Sequence, residues 1–184
     1  LGKSDIPLDT DGHSQARALA ERLRFLQISE VYTSPLSRAL GTARAVAELQ
    51  ASCVVKMVQD LAELDQGELE GKKGACLPSE YPDFFRAWEE DPTDVRVPGG
   101  ETMRECQERS WSALHDALAE SAADTPLVIV SHKMVICTII CRILGLPLRF
   151  FRRIGQANTA INLLSAGDGG LQLHRLNDGE HLNY

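Results

Sequence analysis

The chain has 184 residues, 43% hydrophobic and 24% charged, the proportions of a single globular domain with a sizeable core. Its net charge of −7 argues against nonspecific nucleic-acid binding, and its apolar runs are too short to span a bilayer. Its five cysteines, odd in number and without a C-x-x-C pair, point to reduced thiols and a cytoplasmic protein.

Asp9 or Thr10 can cap a first helix that carries Ala16, Leu19, Ala20, Leu23 and Leu26 on one face. Glu30–Thr33 reads as a short strand. Leu36–Leu49 reads as a helix, with Leu36, Leu40, Ala43 and Ala47 at helical spacing, and Val54–Val58 as a second strand. Residues 64–100 are rich in glycine and proline and predict an excursion over the sheet rather than a linker. One short helix is expected near Glu80–Glu89, its aromatic residues Tyr81, Phe84, Phe85 and Trp88 packing the excursion down. A long helix should run from about Glu101 to Glu120. Leu127–Val130 is a continuous apolar run, the pattern of a strand buried on both faces. A helix follows from Lys133 to Leu144, ended by Gly145 and Pro147; Cys137 and Cys141 on it read as core packing. Ala160–Leu164 and Leu171–Leu176, joined by Gly167-Asp168-Gly169-Gly170, would close the sheet. This order predicts an α/β fold, a layered and mostly parallel sheet in one domain.

Three residues stand where such a fold does chemistry. His132 ends Leu127-Val128-Ile129-Val130-Ser131-His132, and ligands of open α/β sheets bind just beyond the carboxyl ends of the strands. The alternative is a histidine that merely opens the next helix. Arg38, in Thr33-Ser34-Pro35-Leu36-Ser37-Arg38-Ala39, lies near a helix N-terminus, where the macrodipole disfavours a cation and an anionic partner is needed. A phosphate oxyanion fits; so does a neighbouring carboxylate. Glu63 follows a strand and opens the excursion. Folded over a site it could act as a general acid; with Asp65, Glu68 and Glu70 nearby, a solvated acidic loop is the plain alternative.

Taken together in chain order, the segments resemble the histidine phosphatase superfamily, the phosphoglycerate mutase-like group. The matching stretches are Asp5-Ile6-Pro7-Leu8 with Gly12, Tyr32 to Ala39, Glu63 with Gly67 and Glu70-Gly71, and Tyr81-Pro82 with Phe85 and Trp88. They continue through Pro98-Gly99-Gly100-Glu101, Val130-Ser131-His132, Leu144-Gly145-Leu146-Pro147, Asn177-Asp178 and His181-Leu182. The resemblance implies a three-layer α/β/α sandwich and phosphoryl transfer through a phosphohistidine. In that scheme Arg38 binds the phosphoryl group and His132, the pocket's second histidine, donates to a phosphoryl oxygen. Glu63 protonates the leaving oxygen and then activates water. Gly2 matches a substrate-binding glycine, and no metal and no cofactor is implied.

The departures are as informative. The family opens with a strand ending in Arg-His-Gly, which carries the nucleophile, and this sequence matches the family only after that motif. None of His13, His115, His174 or His181 is a credible substitute. The chain is therefore expected to lack an interior strand of the sheet, and residues preceding Leu1 are expected to supply it. Lys133 stands where many members have a small residue; it either adds charge at the pocket mouth or points to solvent. The excursion is short and acidic (Glu89, Glu90, Asp91, Asp94), and Gln66 replaces a tyrosine of the cofactor-dependent mutases. These features favour a phosphatase of small monoesters, such as α-ribazole phosphate or sugar phosphates, over a mutase. A noncatalytic phosphate-binding relative, or a metal hydrolase using His174 and His181, are the competing readings. The expected partner is a small phosphorylated substrate, with neither nucleic acid nor membrane, and Arg149–Arg153 fits either a homodimer interface or a capped core edge.

Overall fold

The computed structural model describes residues 2–122 and 125–182. Helix α1 spans Thr10–Leu23, with the Asp9 side chain as its N-cap accepting from the Gly12 amide. Strand β1 (Glu30–Thr33), helix α2 (Ser37–Glu48) and strand β2 (Val54–Met57) follow. The excursion carries two short helices, α3 (Leu77–Glu80) and α4 (Pro82–Glu90). Helix α5 (Met103–Glu120) opens with a capping box between Thr102 and Glu105, a device worth about 1 kcal/mol. Strand β3 (Leu127–Val130), helix α6 (Lys133–Ile143) and an antiparallel hairpin of β4 (Ile161–Gly167) and β5 (Gly170–Asp178) complete the order.

Three strands pair in parallel, in the order β2-β1-β3. Alternation along them divides the core in two, because successive side chains point to opposite faces. Val31, Val128 and Val130 face one way and pack with Leu19 and Ala20 of α1 and Ala43 and Val46 of α2. Tyr32, Leu127 and Ile129 face the other way, against Ala113 and Ala117 of α5. A larger cluster joins α5 and α6 to the excursion, where Tyr81, Phe84, Phe85 and Trp88 pack against it as the sequence suggested. The result is the expected three-layer α/β/α sandwich.

Three expectations are corrected. The hairpin does not close the sheet: β4 and β5 form a separate two-stranded sheet. The strand Leu127–Val130 is half-buried at every position rather than buried on both faces. β3 pairs with β1 along one edge only, and among the described residues no strand pairs with its other edge. Leu26 lies beyond the end of α1 and is 46% exposed, so it does not belong to the helix's buried face.

Candidate active site

Parallel pairing sets the carboxyl ends of β1, β2 and β3 along one edge of the sheet. The segments leaving those ends are tied together. The Ser34 amide donates to the Val130 carbonyl (3.0 Å), the Val58 amide to the Thr33 carbonyl (2.8 Å), and the Ser131 hydroxyl to the Leu61 carbonyl (2.7 Å). This lattice brings Ser34, Glu63 and His132, which are far apart in sequence, to one end of the sheet.

His132 is the N-cap residue of α6 and is 8% exposed. Its Nε2 lies 2.7 Å from the Ser34 hydroxyl, which is wholly buried. That hydroxyl already accepts from the Leu36 amide (3.2 Å), and its only described acceptor is Nε2. A buried hydroxyl must place its proton somewhere, so Ser34 donates and Nε2 accepts. This assigns the proton of the neutral ring to Nδ1, which makes no hydrogen bond among the described residues. Burial, followed by the positive charges of Arg38 and Arg109, pulls the imidazole down to about 3. At neutral pH the site therefore holds a neutral imidazole with one free N–H.

Glu63 is not part of a solvated acidic loop. Its carboxylate accepts from the Leu64 amide (2.8 Å) and, at the outer limit of 3.5 Å, from the Met134 amide in the first turn of α6. Burial pushes the Glu63 carboxyl above the ordinary range; the two backbone hydrogen bonds and the charges of Arg38 and Arg109 oppose this without cancelling it. The neighbouring acids turn elsewhere: Asp65 pairs with Lys3 (3.1 Å), and Glu70 accepts from the Lys3 amide (2.6 Å) and the Ser4 hydroxyl (2.5 Å).

Arg38, half-buried in the first turn of α2, has no carboxylate partner among the described residues. Its Nη1 donates to the Ser4 carbonyl and its Nη2 to the Gly2 carbonyl, both at 2.8 Å. Asp5 anchors the same segment by accepting from the Ser37 amide (2.6 Å) and hydroxyl (2.8 Å). Gly2 has φ +43°, a conformation that favours glycine, and a Cβ there would displace the Glu70 carboxylate, whose oxygen would lie 2.1 Å away. Arg38 is thus aimed by backbone carbonyls, and its charge acts on both His132 and Glu63. Lys133 is exposed at the start of α6 and is not among the charges that act on His132.

His174 and His181 are held apart on separate partners, Ser165 (2.7 Å) and Thr159 (3.4 Å). Among the described residues no group of three or more His, Cys, Asp or Glu side chains is arranged to hold a metal ion. No described helix is long and apolar enough to cross a membrane.

Two residues of the site have no role in the sequence reading: Ser34, although it sits within the matching stretch Tyr32 to Ala39, and Arg109. A signal for Arg109 was present: it falls between Cys106 and Ala113 at helical spacing, a charge beside the buried stripe of α5. A cation so placed needs a buried anion, which Glu101 supplies.

Comparisons with known proteins identify the family. Residues 1–179 match the model of the histidine phosphatase superfamily, branch 1. The probable phosphoglycerate mutase GpmB of Enterobacter sp. (strain 638) is 37% identical over 161 residues, 88% of this chain and 74% of that protein. Among solved structures, mycobacterial glucosyl-3-phosphoglycerate phosphatase superposes with a TM-score of 0.82 at 28% identity, covering 96% of this chain and 90% of the other. The α-ribazole phosphatase of Shigella flexneri gives 0.84 at 25%, covering 96% and 87%. YhfR of Bacillus stearothermophilus shares the fold with a TM-score of 0.90 at 24% identity, covering 98% and 89%. The chain belongs to the histidine phosphatase superfamily.

Proposed function

We propose that the protein is a phosphomonoesterase acting on a small phosphorylated metabolite through a phosphohistidine intermediate. The observation that carries this reading is a half-buried carboxyl, Glu63, raised above the ordinary range by desolvation and held at the helix end that begins with a buried neutral imidazole, His132. A carboxyl with a raised pKa beside a histidine and a guanidinium suits a reaction in which an anion is held while its leaving oxygen takes a proton.

In the proposed sequence, Arg38 and the free Nδ1–H of His132 bind the phosphoryl oxygens and stabilise the charge that develops on them. A nucleophilic histidine attacks phosphorus; the N–P bond forms, the ester P–O bond breaks, and the leaving oxygen takes its proton from Glu63. Glu63, now a carboxylate, removes a proton from water as the water oxygen attacks phosphorus and the N–P bond breaks. The family's nucleophile belongs to an Arg-His-Gly motif, and none of the described residues is assigned that role. Gly2 contributes by holding Arg38 through its carbonyl, and we assign to Lys133, exposed at the start of α6, the binding of further negative charge on the substrate.

The names of the relatives support a second reading, a phosphoglycerate mutase. A mutase must return the phosphoryl group to its bound product before water takes it. Full-length protein assayed against a panel of phosphomonoesters, with a phosphoglycerate mutase assay beside it, separates the two. Release of inorganic phosphate from a small monoester, faster than any mutase turnover, is expected. Mutase turnover in excess would favour the second reading, and no turnover at all a noncatalytic phosphate binder.

A further inference from the structure

We propose that Arg109, fixed by Glu101, is the positioning residue that sets Glu63 against the N-terminus of α6. The inference rests on the reading of Glu63 as proton donor.

Arg109 and Glu101 are a mostly buried pair, their side chains 18% and 14% exposed. Nε of Arg109 donates to Glu101 Oε2 (3.0 Å) and Nη2 to Oε1 (2.6 Å), the two-pronged geometry a guanidinium favours. The remaining N–H groups go to the loop that carries the acid. Nη1 donates to the carbonyls of Asp60 (2.6 Å) and Ala62 (2.8 Å), and Nη2 also to the carbonyl of Glu63 itself (3.2 Å). Glu101 grips the other side of Glu63: its Oε1 accepts from the Asp65 amide (2.8 Å), and its own amide donates to the Asp65 carbonyl (3.2 Å). A purely stabilising ion pair would need only the Glu101 contact. Here the carbonyls at 60, 62 and 63 and the amide at 65 all belong to one loop, on both sides of one residue.

The Glu63 carboxylate has little else to locate it. Its short bond is to the adjacent Leu64 amide, and its bond to α6 is 3.5 Å long. Its place is therefore set by its backbone, and its backbone is set by Arg109. Lysine, a point charge with three donors on one nitrogen, cannot span these partners.

The test uses full-length protein with Arg109→Lys and, as a milder change, Glu101→Gln. Both are also made in a Glu63→Gln background. kcat and KM are measured with p-nitrophenyl phosphate and with the alkyl monoester the protein turns over best. An acid displaced by about an ångström costs about 10²-fold in kcat where protonation matters. Arg109→Lys should therefore lose about that factor on the alkyl ester and less than about threefold on p-nitrophenyl phosphate, whose leaving group needs little protonation. KM should change little, and the loss should vanish in the Glu63→Gln background. Glu101→Gln should show the same selectivity, more weakly, and serves if Arg109→Lys does not fold. Equal losses on both esters, or an undiminished loss in the Glu63→Gln background, would make the pair merely structural and overturn the proposal alone. Equal losses on both esters in Glu63→Gln itself would overturn the proton-donor reading, and the proposal with it.

Discussion

Ser34 and His132 meet across the ends of two adjacent strands, and the Ser34 hydroxyl, 2.7 Å from Nε2, decides which ring nitrogen carries the proton. Because the buried hydroxyl proton has no other acceptor among the described residues, Nε2 is the acceptor and Nδ1–H is left for a ligand. Ser34→Ala should cost about 1–3 kcal/mol in urea denaturation, since it strands a buried ring nitrogen and a backbone amide. Nitrogen NMR of the parent protein should show Nδ1 protonated, and the variant should gain the Nε2–H form. A parent protein with its proton on Nε2 contradicts the assignment.

The same imidazole makes stability depend on pH. In the fold His132 stays neutral down to about pH 3, mainly through burial and then through the charges of Arg38 and Arg109. In the unfolded chain it protonates near 6.5. Below that value the unfolded state binds the extra proton. The contribution is intact above pH 6.5 and is lost as pH falls toward 3, at about 1.4 kcal/mol per pH unit. Glu63, raised in the fold, has the opposite sign above its unfolded pKa of 4.5, where the folded state holds the extra proton. That effect is common to parent and to His132→Gln and cancels in their difference. Between pH 6.5 and about 5, His132→Gln should lose less stability than the parent in urea denaturation. Parallel pH profiles would mean that His132 is not held neutral.

Arg38→Ala should weaken binding of inorganic phosphate and lower turnover together. A hydrogen bond to a charged group is worth about 1.5–3 kcal/mol, or roughly 10- to 150-fold in affinity. It should also loosen the segment at Gly2 and Ser4, whose carbonyls lose their donor. Isothermal titration with phosphate and limited proteolysis check the two effects. Unchanged phosphate affinity would remove Arg38 from the pocket.

Much of this was legible in the sequence. The apolar run before His132, the capping residue Asp9 and the glycine and proline of the excursion each encode local structure, and each expected element formed within a few residues of its expected place. The environment of Glu63 was not legible. Its acidic neighbours suggested solvent, and only the clamp of Arg109 and Glu101, formed between segments far apart in sequence, turns it inward. The partners of Arg38 were hidden for the same reason. A helix N-terminus predicts that a cation needs a partner, but that the partners are the carbonyls of Gly2 and Ser4 depends on how Glu70 and Asp5 fold that segment across the site. That β4 and β5 pair only with each other among the described residues is a property of sheet assembly that neither segment encodes alone.

Glu63→Gln should slow esters with poor leaving groups far more than p-nitrophenyl phosphate, by up to about 10²–10⁴-fold. Since Glu63 donates only while protonated, kcat should fall as pH rises through its folded pKa, and burial places that limb above the ordinary carboxyl range. The limb should be absent in Glu63→Gln. A limb that persists in the variant belongs to another group.

In the proposed reaction this pocket transfers a phosphoryl group to a histidine and then to water. Rapid acid or alkali quench of full-length protein, mixed with its best phosphomonoester, tests that sequence most directly. The expected result is a burst of the alcohol product equal to the enzyme, with phosphate bound to protein through an acid-labile, alkali-stable bond that decays at the turnover rate in the parent. Simultaneous release of alcohol and phosphate, with no phosphoprotein at any quench time even in Glu63→Gln, where the intermediate should persist, would contradict it.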